Sequence, residues 1–122
     1  MLIINKFYLM RFINNYIFFF LILFIVCCSE VKKVHISNTI MFSGKLYELN
    51  ESEPFNGIVF NTYEEGEIAY EGLYKNGLPD GKLIYWFKNG MVKREGNLKQ
   101  GVPVGRWTEY EIDGTLEKQV DY

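Results

Sequence analysis

The sequence predicts an all-β fold: an open antiparallel meander of tandem β-hairpins, about seven strands in all, behind an N-terminal apolar signal helix. Three observations predict it. Glycines after residue 56 recur with a 24-residue period. Apolar and polar residues alternate along the segments between them. No segment beyond the N-terminus carries helical periodicity. Composition agrees: of 122 residues, 17% are aromatic and 48% hydrophobic, too many for a disordered chain.

Lys6 and Arg11 are the only charges before Glu30, and Tyr16 to Val26 is unbroken apolar or aromatic sequence. A basic start, an apolar run and small residues after it have the form of a secretory signal peptide. Phe12 to Cys28 is only 17 residues and holds Asn14 and Asn15, short of the roughly 20 that a membrane span needs. Ile25-Val26-Cys27-Cys28 resembles a bacterial lipobox, in which a small residue precedes the lipid-modified cysteine. Cys28 has the smaller Cys27 before it, whereas Cys27 would have Val26. Cys28 is therefore the expected lipidation site and Cys27 the alternative. An uncleaved anchor is the competing reading; in both, residues 29–122 lie outside the cytoplasm. The several acyl chains of a lipoprotein anchor firmly where one chain binds weakly. Ser29 after Cys28 points to the outer membrane or cell surface of the envelope more than to the inner membrane. Adjacent cysteines cannot staple the fold.

This divides the chain into a signal peptide (1–27), a polar tether (28–39) and a repeat domain (40–122). Ile40 to Tyr47 reads as one leading strand with Gly44 inside it, and Asn50 to Glu53 as a polar turn. From Gly57 the chain copies itself as 57–80, 81–104 and 105–122. Gly57, Gly81 and Gly105 are 24 residues apart, as are Gly66, Gly90 and Gly114; Gly72 pairs with Gly96, and Gly77 with Gly101. Each copy reads as a hairpin. First strands are expected near Ile58 to Tyr63, Leu83 to Phe87 and Arg106 to Tyr110. Second strands are expected near Glu67 to Tyr74, Met91 to Leu98 and Thr115 to Tyr122. Between them, Glu65-Gly66, Asn89-Gly90 and Asp113-Gly114 offer the positive φ of tight hairpin turns. Gly77-Leu78-Pro79 and Gly101-Val102-Pro103 are expected to turn the chain into the next copy. Ile68, Tyr70, Gly72 and Tyr74 alternate with polar residues, as a half-buried antiparallel strand requires. Gly72 and Gly96 would let a neighbouring ring lie against the backbone.

Gly81-Lys82-Leu83-Ile84-Tyr85-Trp86-Phe87-Lys88-Asn89-Gly90, followed less closely by Gly105-Arg106-Trp107-Thr108-Glu109-Tyr110, is similar to the MORN-repeat variant of bacterial proteins. The resemblance covers residues 44–122. It implies an elongated, single-layer, twisted meander. It also brings in an antitoxin-like role, which suits an exported chain only if the toxin is exported too.

The chemistry of an enzyme is missing from the sequence. His35 is the only histidine, and every serine precedes the repeats, so no serine–histidine–carboxylate set can be assembled within the sheet. The glycines follow turn spacing and end in no phosphate-cradling motif. Glu64, Glu65 and Glu67 read as solvated turn carboxylates without calcium-loop spacing. No metal, cofactor or small-molecule substrate is expected. Without Lys6 and Arg11 the chain carries 11 basic and 15 acidic residues, a net charge of −4, which disfavours nucleic acid as a partner. The aromatics remain. One layer of sheet cannot bury both faces, so Tyr63, Tyr85, Trp86, Phe87, Trp107 and Tyr110 are the candidate binding-face residues. The expectation is a non-catalytic, membrane-anchored lipoprotein that binds a protein partner or serves as a structural module. The alternative is an immunity or antitoxin-like inhibitor that occludes an exported toxin.

Overall fold

Nine strands follow one another along residues 30–122, the part of the chain that the computed structural model describes: β1 (Lys33–His35), β2 (Thr39–Phe42), β3 (Lys45–Glu48), β4 (Gly57–Thr62), β5 (Ile68–Lys75), β6 (Leu78–Trp86), β7 (Val92–Lys99), β8 (Val102–Tyr110) and β9 (Leu116–Asp121). The expected signal peptide, Cys27 and Cys28 lie outside the described residues. Seven strands form one open sheet in the order β1-β4-β5-β6-β7-β8-β9, antiparallel except for the β1–β4 pair. The other two, β2 and β3, pair with each other.

The all-β open meander is as the glycine period predicts, but three segments differ from the sequence reading. The polar stretch before residue 39 is structured: β1 lies parallel to β4, with Val34 opposite Val59 and only 5% exposed. One valine with an apolar partner is enough to seat a strand that is otherwise polar. The seventh strand of the sheet is thus β1, not the leading segment Ile40 to Tyr47. That segment folds back on itself at Ser43-Gly44, both with positive φ (47° and 76°), to make the β2–β3 hairpin. Lastly, Leu78-Pro79 and Val102-Pro103 lie inside strands. The two-residue turns with two positive φ values sit one step earlier, at Asn76-Gly77 (51° and 76°) and Gln100-Gly101 (48° and 83°).

At the opposite end of each hairpin only the glycine is left-handed. Tyr63 N–H donates to the Glu67 carbonyl and Gly66 N–H to the Tyr63 carbonyl; Phe87 with Met91 and Gly90, and Glu111 with Thr115 and Gly114, repeat the pattern. These are three-residue loops that end on a bulged glycine. Asn89 and Asp113 serve there as side-chain acceptors, for Met91 N–H (3.0 Å) and Thr115 N–H (2.9 Å).

Asp113 also accepts from the Thr115 hydroxyl, and these bonds hold its carboxyl below the usual 3.8; Arg106 does the same for Asp121. Both groups favour the folded state above their unfolded value and lose that contribution as pH falls through the lower folded value. Stability should therefore drop on acidification below about pH 4. Asp113→Asn with Asp121→Asn should flatten that limb in urea titrations at pH 2 to 5, and an unchanged limb would assign it elsewhere.

The 24-residue period is visible in the sheet's faults as well as its turns. Pairing slips by one residue at Ala69, Lys93 and Glu117, each left without a Cα partner between consecutive pairs. A second device recurs too. Asn56 accepts from Asn76 N–H (2.8 Å) and Asp80 from Gln100 N–H (3.3 Å), while the carbonyls of Phe55 and Pro79 accept from Gly77 and Gly101 N–H. The last two residues of the preceding copy, Phe55 and Asn56, thus belong to the repeat.

Candidate functional site

Register decides which side chains share a face, since Cα partners point the same way. One row crosses the first face as Val59, Gly72, Leu83 and Gly96, and Trp107 with Val120 continues it. A second row on that face runs Asn61, Tyr70, Tyr85, Arg94, Glu109 and Lys118. The second face carries His35, Phe60, Glu71, Ile84, Glu95, Thr108 and Gln119, one from each strand of the sheet.

The first face holds the core. Leu46 of β3 and Phe55 pack with Val34 and Val59 (exposures 4–6% for three, none for Val59), backed by Tyr70 and Tyr74. Tyr70 and Tyr74 share a hydroxyl–hydroxyl contact of 3.0 Å, and burial, reinforced by that contact, pushes the Tyr70 phenol well above its ordinary value. Further along, the Trp107 ring lies flat on Gly96, where a Cβ would come within 2.2 Å of it. Its indole N–H donates to the Asn97 carbonyl (3.1 Å), and the Arg94 guanidinium lies over the ring, 4.6 Å from its centroid. Gly96 receives the ring that the sequence predicts. At Gly72 it is the Tyr70 hydroxyl and a Leu83 methyl that close in, at 2.6 and 2.7 Å of the missing Cβ.

The six candidate aromatics consequently do not form one surface. Alternation sends Tyr85 to the first face and its neighbour Trp86 to the second. Trp107 is core, only 4% exposed. Tyr85 stays exposed beside Tyr70, ring centres 5.2 Å apart. Trp86 and Tyr110 lie on the second face, two residues beyond Ile84 and Thr108. Tyr63 and Phe87 stand at the mouths of the loops: the Tyr63 hydroxyl donates to the Trp86 carbonyl (2.7 Å), and Lys93 sits 5.6 Å over the Phe87 ring. The turn glycines Gly66, Gly90 and Gly114 and the column Gly57, Gly81 and Gly105 all have positive φ. They build the scaffold rather than a site.

Among the described residues no further layer lies over the second face. Ile58, Phe60, Ile84, Trp86 and Tyr110 are half-buried by their neighbours, and Leu73 is exposed. Charges alternate with them. Lys33 pairs with Glu71, Lys82 with Glu95 (3.0 Å), and the Tyr110 hydroxyl reaches toward Glu95 (3.4 Å). Lys33 also lies 5.1 Å over Phe60, which meets His35 edge-on at 5.2 Å. A shallow groove lined by Ile58, Glu71, Leu73, Lys82 and Ile84 runs through it. These cross-strand ion pairs are what the sequence reading missed; Glu71 and Glu95 stand 24 residues apart, but their cations sit on other strands.

The structure does bring one serine to the histidine. Ser37 Oγ lies 2.8 Å from His35 Nδ1, and that nitrogen also accepts from Ser37 N–H (3.2 Å). This is the cap of the short helical turn Ile36–Asn38, and among the described residues no carboxylate hydrogen-bonds to the ring. Among the described residues no group of three histidine, cysteine or acidic side chains could hold a metal ion. Comparison with known protein families, with curated proteins and with solved structures finds no match to this chain.

Proposed function

We propose that this chain is a membrane-anchored, extracytoplasmic lipoprotein whose MORN-like repeat sheet binds a protein partner without catalysis. The observation that carries the reading is the second face. It is a strip of Ile58, Phe60, Ile84, Trp86 and Tyr110 interrupted by Glu71 and Glu95 with their lysines, and the hydrophobic core of the described residues lies on the other side. Partly exposed aromatics among paired charges are the composition of a recognition surface. The ion pairs fix the flanking side chains in place, so little ordering remains to be done on binding. Contact is therefore assigned to Trp86 and Tyr110. Trp107 leaves the candidate set because its ring is committed to Gly96 and Arg94.

A photo-crosslinking amino acid at Leu73, in the strip and 39% exposed, tests this in intact cells. A discrete adduct is expected, reduced at least tenfold by Trp86→Ala or Tyr110→Ala and unchanged by Tyr85→Ala on the opposite face. Equal loss with Tyr85→Ala, or none with Trp86→Ala, would remove the second face from the proposal.

A further inference from the structure

The β2–β3 hairpin is apolar where the fold does not need it to be. Ile40, Met41 and Phe42 are 54%, 62% and 68% exposed, three consecutive residues of one strand. Ile40 is opposite Tyr47 and Phe42 meets the Tyr47 ring edge-on at 6.3 Å, so these three share a face, while Met41 stands opposite the buried Leu46. Six of the exposed large apolar residues, Val31, Ile36, Ile40, Met41, Phe42 and Leu49, fall within 31–49, the stretch next to the apolar N-terminal run.

We infer that the tip of this hairpin beds into the interfacial layer of the lipid bilayer to which the chain is anchored. The inference rests on the proposed anchor at Cys28 and adds a second, non-covalent contact. Two considerations select lipid over a protein partner. Neighbouring residues of a strand point to opposite sides, so a flat protein surface can take Ile40 and Phe42 or Met41, but not all three. A fluid apolar medium surrounds both sides at once. The second is reach. Only Ser29 and Glu30 separate Cys28 from Val31, where the folded unit begins, a span of about 11 Å at most for an extended chain. A tether that short turns insertion into an intramolecular event at an effective concentration of about millimolar or above, so even a weak affinity is realised.

Insertion is limited to the interface. Among the described residues the outer edge of β2 has no strand beside it, and backbone N–H and C=O groups along such an edge need water or headgroup partners. Tyr47 and Lys45 beside the tip suit that depth, the ring at the headgroup level and the ammonium reaching back to water. Glu48, Glu51 and Glu53 toward the hairpin's other end leave no net positive charge to attract anionic lipid. The contact is therefore hydrophobic, and salt should not release it.

The full chain in phosphatidylcholine vesicles tests this, with an environment-sensitive fluorescent amino acid at position 42 or, as control, at the exposed Ile112. Doxyl-labelled phosphatidylcholine should quench position 42 at least threefold more than position 112, and 0.5 M salt should leave the difference intact. Flotation of the vesicles is measured on the same samples, beside Cys28→Ser, to report on the anchor separately. Chain that floats with equal quenching at 42 and 112 overturns the hairpin contact and leaves the anchor standing. Chain that does not float overturns both. Chain quenched at position 42 that floats even as Cys28→Ser supports a hairpin contact that holds without the anchor.

Discussion

Gly96→Ala should cost about 3 kcal/mol, the upper part of the range for overpacking a filled site, whereas Gly72→Ala should cost about 1 kcal/mol or less. Both glycines occupy the same column of the repeat, so sequence alone predicts equal effects. The difference lies in what the new methyl group would meet. At Gly96 it would fall 2.2 to 2.6 Å from Cδ2, Cε2 and Cγ of Trp107, the body of a ring. That ring cannot lift, because Arg94 covers it and Asn97 holds its N–H. At Gly72 the closest atoms are the Tyr70 hydroxyl and one Leu83 methyl, the far ends of side chains, with Cζ of the Tyr70 ring next at 3.1 Å. Their rotation, with the reduced freedom of the unfolded chain that alanine brings, offsets much of the clash. Urea denaturation of residues 30–122 measures both. Trp107→Leu supplies the control, leucine being what stands at Leu83 one copy earlier. With the indole gone, Gly96→Ala should lose most of its cost, a coupling of about 2 kcal/mol or more between contacting residues. Additive costs would mean that the ring is not what requires glycine there.

That contrast marks where the sequence stops being informative. The period places every glycine from Gly57 onward, and with it the number and order of the hairpins, because a turn must be paid for by a residue that tolerates positive φ. It does not say which end of a hairpin carries which turn. Asn89-Gly90 looks like the tighter turn, yet Asn76 and Gln100 take left-handed φ while Asn89 does not. The registry of pairing makes that choice: the three-residue loops fit the bulges at Ala69, Lys93 and Glu117. Val34 was illegible for another reason. Flanked by lysine and histidine, it carries no periodic signal, and only its parallel partner Val59, 25 positions later, reveals it as core. The candidate surface was half legible. Aromatic strands could be counted in the sequence, but assigning Trp86 and Trp107 to opposite faces needs the parity of each strand, which a single bulge inverts. The ion pairs on the second face are wholly tertiary, each joining strands that pair across the sheet or lie one strand further away.

Phe55→Ala should destabilise the N-terminal end of the sheet by about 3–5 kcal/mol, the usual cost of removing a buried phenylalanine, and do so locally. Phe55 is 4% exposed between Leu46, Val34 and Val59. Its backbone belongs to a closed triangle of hydrogen bonds. Phe55 N–H donates to Leu46 C=O (2.8 Å), Leu46 N–H to Gly77 C=O (2.9 Å), and Gly77 N–H to Phe55 C=O (2.9 Å). The triangle ties the β2–β3 hairpin to the first inter-repeat turn, and the ring fills the space beneath it. Gly77 has no room to compensate, since a Cβ there would lie 2.8 to 2.9 Å from Lys45 and the Leu46 backbone. Each repeat otherwise touches only its neighbours, so the loss should not spread far along the sheet. Amide hydrogen exchange separates the two outcomes. Exchange at Leu46 and Gly77 should accelerate at least 100-fold in Phe55→Ala, a factor of ten being about 1.4 kcal/mol, while amides of β8 and β9 change little. Phe55→Leu, which keeps most of the volume, should stay within about 1.5 kcal/mol of the parent. Uniform acceleration across all strands would show that the sheet opens as one unit; in that case Phe55 is a keystone of the whole domain and the repeats have no stability apart from the hairpin that covers their first copy.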